Sequence, residues 1–176
     1  MSEERVITAN MDRAEIALPA FGSSPPLILD VSKIREGESR LHEAEIVNIS
    51  SYSNLEYTFN EGYREAKRHL AVLGFQMALA EKAMREAKSI ALLDEYPEYL
   101  NTIGKTKGIK DSAQIRDAYL ETYLPYTLAQ DRINMLKATE ALIDGKLKSF
   151  ENTCRYMKKQ MDIVLRSGID PNKYMK

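Results

Sequence analysis

A heptad repeat without a break constrains the fold of this chain more than any other feature. Its first series, with members seven residues apart, is Ile115, Thr122, Ala129, Leu136, Ile143, Phe150, Met157 and Val164. Its second series, offset by four residues, is Tyr119, Tyr126, Ile133, Glu140, Leu147, Cys154 and Met161. Alternating spacings of three and four place one mostly apolar stripe along a helix. The repeat predicts a helix over about residues 112–166, capped by Asp111 or Ser112. Pro125 lies off the stripe and predicts a kink or a restart.

An earlier heptad repeat predicts a second long helix. Its first series is Tyr52, Phe59, Ala66, Leu73, Ala80 and Ala87. The interleaved series is Glu56, Tyr63, Leu70, Met77, Met84 and Ala91. We expect a helix over about residues 52–93, ~60 Å long at ~1.5 Å per residue. It should stop near Asp94–Pro97, because proline disfavours helical backbone at the residue before it.

Two helices with one apolar stripe each favour an all-α fold. The connector between them lets the helices fold back as a long antiparallel helical hairpin or coiled coil, residues 51–176. Because two helices enclose a thin core, we expect a homo-oligomer. Residues 1–50 are predicted to form a separate irregular arm, for which a β-containing and an extended form are both open. The runs 27–31 and 44–49 are either two strands of a small hairpin or parts of an extended segment.

The composition is that of a soluble protein of the cytoplasm. One cysteine, Cys154, excludes an internal disulfide and favours a reducing compartment. The first residues carry acids and no long apolar run, so neither a signal peptide nor a membrane span is expected. The net charge is −1, but residues 1–100 hold 11 Lys/Arg against 17 Asp/Glu, and residues 101–176 hold 14 against 9. The basic half favours contact with a polyanion, or head-to-tail pairing of subunits.

Gly104-Lys105-Thr106 matches only the last three residues of the phosphate-binding P-loop motif. The loop needs a glycine five positions before Gly104, where this chain has Tyr99, and it needs a preceding strand. What remains is a lysine-bearing connector, with Lys105, Lys107 and Lys110. Lysines beside an aromatic such as Tyr99 are typical of surfaces that bind single-stranded nucleic acid. The alternative is a solvated linker between two helices.

A second basic cluster lies on the later helix. Its members are Lys148, Arg155, Lys158 and Lys159. Spacings of seven and four place Lys148, Arg155 and Lys159 on one face, which fits contacts to phosphates. It equally fits the outer, solvated face of a coiled coil.

No arrangement of residues indicates catalysis. His42 and His69 stand apart, without the cysteine, histidine or carboxylate spacing of a zinc site or a catalytic triad. Cys154 falls on the apolar stripe, where a small buried side chain is expected. We therefore expect neither an enzyme nor a metal or other cofactor.

The run KDSAQIRDAYLETYLPYTLAQDRINMLKATEALIDGKLKSFENTCRYMKK resembles small helical phage proteins. More specifically, about residues 60–165 are similar in pattern to the T4-type phage recombination mediator family, the UvsY-like proteins. The resemblance implies a non-catalytic, ring-like homo-oligomer that binds single-stranded DNA. It also implies displacement of a single-strand-binding protein and loading of a recombinase. The DNA-contacting segment of the family would correspond to Lys105, Lys107 and Lys110.

Two other hypotheses stay open. The chain could be a coiled-coil structural or assembly protein without affinity for nucleic acid. It could also be a binding module that uses residues 1–50 to hold a protein partner.

Overall fold

The computed structural model describes residues 14–108 and 110–167. The fold is all-α with a helical hairpin, as predicted, and carries one small two-stranded antiparallel sheet. The strands are β1 (Glu15–Leu18) and β2 (Leu27–Asp30). The α-helices are α1 (Ser32–Ser39), α2 (Ile49–Ile90), α3 (Tyr96–Lys107), α4 (Ala113–Thr122) and α5 (Leu124–Ser167). A 3-10 helix covers Leu41–Ile46, and a π-helical turn covers Ala91–Glu95.

The chain forms two compact units. The first, here the terminal unit, joins the residues up to Val72 with those from Glu140 onward, and the central unit is Leu73–Thr139. In both units the heptad positions supply the core. The buried seam residues of the terminal unit are Phe59, Ala66, Ile143, Leu147, Phe150, Met157, Met161 and Val164. Those of the central unit are Leu73, Ala80, Ala87, Ala91, Ala129, Ile133 and Leu136.

Residues 14–50, the described part of the segment predicted as an arm, are folded within the terminal unit. β1 pairs with β2 in the register Glu15↔Asp30 to Leu18↔Leu27. The predicted strand at 27–31 is confirmed, but the prediction of a strand at 44–49 is wrong. Residues 44–46 belong to the 3-10 helix instead. The Asn48 side chain accepts the backbone N–H of Ser51 at 2.9 Å and so caps the start of α2 at Ile49.

The ring of Phe150 packs between α1 and α2. Phe150 is fully buried and stacks on Phe59, with ring centroids 6.1 Å apart. A Cβ built on Gly37 would lie 2.8 Å from the Phe150 ring, and one built on Gly62 would lie 2.9 Å from it. Glycine at both positions therefore lets α1 and α2 approach the ring from α5.

Polar contacts fix α1 to α2 in the same unit. The buried Glu65 carboxylate accepts the backbone N–H of Ile34 at 3.0 Å, in the first turn of α1. A carboxylate there satisfies a backbone donor that the helix itself leaves unpaired. His69, also buried, is hydrogen-bonded through Nε2 to the carbonyl oxygen of Asp30, so Nε2 carries the hydrogen. These contacts replace the predicted separate arm with a packed element.

In the central unit the helical backbone continues past the predicted stop at Asp94–Pro97. The π-helical turn Ala91–Glu95 leads directly into α3, and the Tyr96 N–H bonds the Ala91 carbonyl, five residues back. A widened turn makes room for the ring of Pro97, which would clash with a carbonyl of a regular helix. The first long helix was therefore predicted about 14 residues too short at its end, and the connector is only 108–112.

The second long helix restarts once, as Pro125 indicated. Tyr123 has extended backbone, and its carbonyl accepts the N–H of Thr127 at 3.1 Å, at the beginning of α5. Pro125 then takes the second position of α5, where a helix needs no N–H. The predicted cap is confirmed at Ser112, whose Oγ accepts the N–H of Ile115 at 3.3 Å.

Candidate nucleic-acid interface

Four tyrosines from α3, α4 and the α4–α5 junction pack together in the central unit. The members of this tyrosine cluster are Tyr96, Tyr99, Tyr119 and Tyr123. Ring centroids lie 4.8 Å apart for Tyr99 and Tyr119, and 5.4 Å apart for Tyr96 and Tyr119. Tyr96 is buried, whereas Tyr99 keeps 41% of its surface exposed. Tyr99, predicted as a stacking residue, therefore packs within a tyrosine cluster and keeps part of its surface open to solvent.

Glu95 joins the cluster to the π-helical turn. Its carboxylate accepts the hydroxyl of Tyr123 at 3.0 Å and that of Tyr119 at 3.4 Å. Burial, and then the hydrogen bond and charge of Glu95, raise the pKa of both tyrosines. Glu95 lies 24 residues from Tyr119 and 28 residues from Tyr123 in sequence, so the sequence pattern did not predict these two hydrogen bonds. The only signal was the four-residue spacing of Tyr119 and Tyr123.

An ion pair fixes the start of α4 beside the cluster. Asp111 accepts Nε of Arg116 at 2.9 Å and the hydroxyl of Tyr96 at 2.9 Å, and a second Arg116 nitrogen contacts its other oxygen. The two-pronged geometry orients both side chains. The hydrogen bonds from Arg116 and then Tyr96 hold the pKa of Asp111 below its ordinary value of 3.8.

The three predicted lysines lie where α3 ends. Lys105 and Lys107 occupy the last turn of α3, Gly108 ends the helix with φ of 66°, and Lys110 follows in the connector. The expectation that all three lysines lie in a connector is therefore wrong, because α3 continues through Lys107. At ~100° per residue, Lys105 and Lys107 project from nearly opposite sides of α3.

All three of these lysines, here called the lysine group, are exposed. Among residues 14–108 and 110–167, no ion pair joins Lys105, Lys107 or Lys110 to an acid. Lysines near a helix C-terminus also interact favourably with the helix dipole. The three positive charges therefore lie at or just beyond the C-terminal end of α3, where exposed lysines without a described acidic partner can contact an anion.

The α5 cluster has a different charge pattern. Lys148 pairs with Asp144 at 2.6 Å, and Arg155 with Glu151 at 3.6 Å, each one helical turn apart. Lys158 and Lys159 are exposed. Two of the four predicted contacts are therefore paired with acids on their own helix, as on a solvated coiled-coil face.

Other ionisable and reactive side chains lie outside these two clusters. In residues 14–108 and 110–167, no three His, Cys, Asp or Glu side chains gather closely enough to hold a metal ion. Cys154 is half-buried, and this burial raises the pKa of its thiol. Arg132, which the heptad pattern did not single out, is 2% exposed, and burial lowers its pKa. None of the described helices combines the length and apolar character needed to cross a bilayer.

Comparison with known proteins supplies no relative. Protein-family models, curated protein sequences and solved structures give no match to this chain.

Proposed function

We propose that the protein is a non-catalytic accessory protein that binds single-stranded DNA during recombination or replication. The contact surface is the lysine group together with Tyr99. In this proposal the protein acts as a homo-oligomer, displaces a single-strand-binding protein and loads a recombinase. The assignment of these partners follows the resemblance to the UvsY-like mediators.

One observation supports the proposal most directly. Three lysines within six residues carry no described acidic partner. Two of them end α3, which also bears the partly exposed Tyr99, and the third follows in the connector. Lysine supplies a mobile point charge to phosphates, and an aromatic ring supplies a face for an unpaired base. On α5, by contrast, Asp144 and Glu151 neutralise half of the basic positions.

The strength of this contact follows from counterion release. On a single strand, each neutralised phosphate contributes a slope of about −0.7 to log K against log salt. Three lysine–phosphate contacts then give a slope of about −2. Removing all three contacts should lower the affinity for single-stranded DNA about 100-fold at ~0.1 M salt.

A fluorescence-anisotropy titration with a labelled oligonucleotide tests the proposal. The variant carries Lys105→Glu, Lys107→Glu and Lys110→Glu. The control carries the same charge change on α5, and its substitutions are Lys148→Glu, Lys158→Glu and Lys159→Glu. We expect the first variant to bind about 100-fold more weakly at ~0.1 M salt, and the control to retain wild-type affinity within about threefold. Absence of wild-type binding at low salt contradicts the proposal, and loss in the control alone moves the contact to α5.

A second candidate function is a coiled-coil assembly protein that does not bind nucleic acid. Leu142, Tyr156 and Ile163, spaced by multiples of seven on α5, are 51%, 44% and 59% exposed. This spacing is typical of a helix that packs a second apolar seam against another helix. Size-exclusion chromatography with light scattering should then give a stable oligomer that Tyr156→Glu dissociates, with no binding of any oligonucleotide.

A further inference from the structure

An open groove of about 510 Å³ lies in the central unit beside the tyrosine cluster. We call it the leucine groove. Its lining residues are Leu92, Leu93, Tyr96, Pro97, Leu100, Asp111 and Arg116. Its volume falls within the range of ~300–1,000 Å³ that small-molecule pockets occupy.

The groove has one apolar wall and one polar end. Leu92, Leu93, Pro97 and Leu100 form the apolar wall, and Leu93 leaves 73% of its surface exposed. At the polar end, the Asp111 carboxylate is already engaged by Arg116 and by the Tyr96 hydroxyl. A ligand therefore meets apolar side chains along the groove. At its end lies the Asp111–Arg116 ion pair, whose charges balance each other.

The helical register and the sequence relate two lysines to residues that line this groove. Lys107 follows Leu100 by seven residues on α3, so the two share one face of the helix, ~10 Å apart along its axis. Lys110 directly precedes the lining residue Asp111. Lys105 projects from nearly the opposite side of α3 from Lys107, as its helical position requires. Lys107 thus shares a helix face with one lining residue and Lys110 adjoins another in sequence, whereas Lys105 does neither.

Resting on the proposed function, we propose that the leucine groove receives one unpaired nucleobase of single-stranded DNA. The adjoining phosphates contact Lys107 and Lys110, and the base lies on the wall formed by Leu93, Pro97 and Leu100. The charges are complementary, since the cations flank the groove and the DNA backbone is anionic. A base within a duplex is stacked on both faces, so it cannot enter, and the groove selects single strands.

Two probes of equal length and charge test this assignment. One is an oligothymidylate, and the other is an abasic deoxyribose-phosphate strand. Because only the oligothymidylate carries bases that can bury apolar surface against this aliphatic wall, we expect wild-type protein to prefer it by about tenfold. Leu93→Ala should reduce this preference at least threefold, and Ile90→Ala should leave it unchanged. Ile90 is a suitable control because it is 48% exposed and does not line the groove.

A lysine comparison gives a second readout. We expect Lys107→Gln to reduce the salt slope for oligothymidylate and to weaken the preference for bases. Lys105→Gln should reduce the slope while leaving that preference unchanged.

The possible failures are distinguishable. Equal binding of both probes overturns the base-binding groove and leaves the proposed function standing. A preference that Leu93→Ala does not alter also overturns the groove, because the base then stacks elsewhere. No binding of either probe at low salt overturns the proposed function, and the groove assignment with it.

Discussion

Adding a methyl group at Gly62 should destabilise the terminal unit, although alanine is the better helix former. Its Cβ would lie 2.9 Å from Cε2 of Phe150 and 3.1 Å from the carbonyl oxygen of Lys33. Overpacking of this kind costs about 1–3 kcal/mol, whereas replacing a mid-helix glycine by alanine gains about 1 kcal/mol. We expect Gly62→Ala to lower the free energy of unfolding by up to about 2 kcal/mol.

Gly145→Ala is the matched control in the same unit. Gly145 also lies inside a long helix, and a Cβ built on it meets nothing within 4 Å. This variant should raise the free energy of unfolding by about 1 kcal/mol, which leaves a gap of about 1–3 kcal/mol between the two variants.

Urea denaturation followed by circular dichroism measures this gap. Adding Phe150→Leu should shrink it, because a smaller side chain leaves room for the new methyl group, and a double-mutant cycle isolates the coupling. If Gly62→Ala stabilises the protein as much as Gly145→Ala does, the contact between the Gly62 face and the Phe150 ring is refuted.

Two further predictions concern polar contacts. Glu65→Ala removes the acceptor of the Ile34 N–H and should cost about 1–3 kcal/mol in urea denaturation, whereas Glu61→Ala, on the surface of the same helix, should cost about 0–1 kcal/mol. The pKa of Asp111 is lower in the folded protein than its ordinary value of 3.8. The ionised carboxylate therefore contributes fully to stability above pH 3.8, and this contribution is lost as the pH falls through the lower pKa of the folded state. The melting temperature of Asp111→Asn should therefore depend less on pH below that value than the wild-type one, and an unchanged acid dependence would contradict the role of the ion pair.

The long helices could be predicted because their heptad spacing directly reports burial. Phe59, Leu136 and Phe150 are stripe positions in sequence and fully buried side chains in the fold. Helix ends were harder to predict. Pro97 favours a stop, but a π-helical turn accommodates its ring, and the sequence gives no separate signal for that turn.

The candidate site could be predicted in its residue types but not in its geometry. Lys105 and Lys107 are recognisable as a basic pair, yet only their helical placement separates them onto two sides of α3. The Glu95 contacts to Tyr119 and Tyr123 join residues distant in sequence, which single-chain patterns do not report. The strand Glu15–Leu18 is too short to give a periodic signal.

Binding of single-stranded DNA across a salt series tests the central claim most directly. Anisotropy titrations of wild-type protein and of the variant with glutamate at positions 105, 107 and 110 would be compared between about 0.05 and 0.2 M salt. The account predicts a wild-type slope of log K against log salt about 2 units steeper than that of the variant. Equal slopes, or no wild-type binding at the lowest salt, would contradict it.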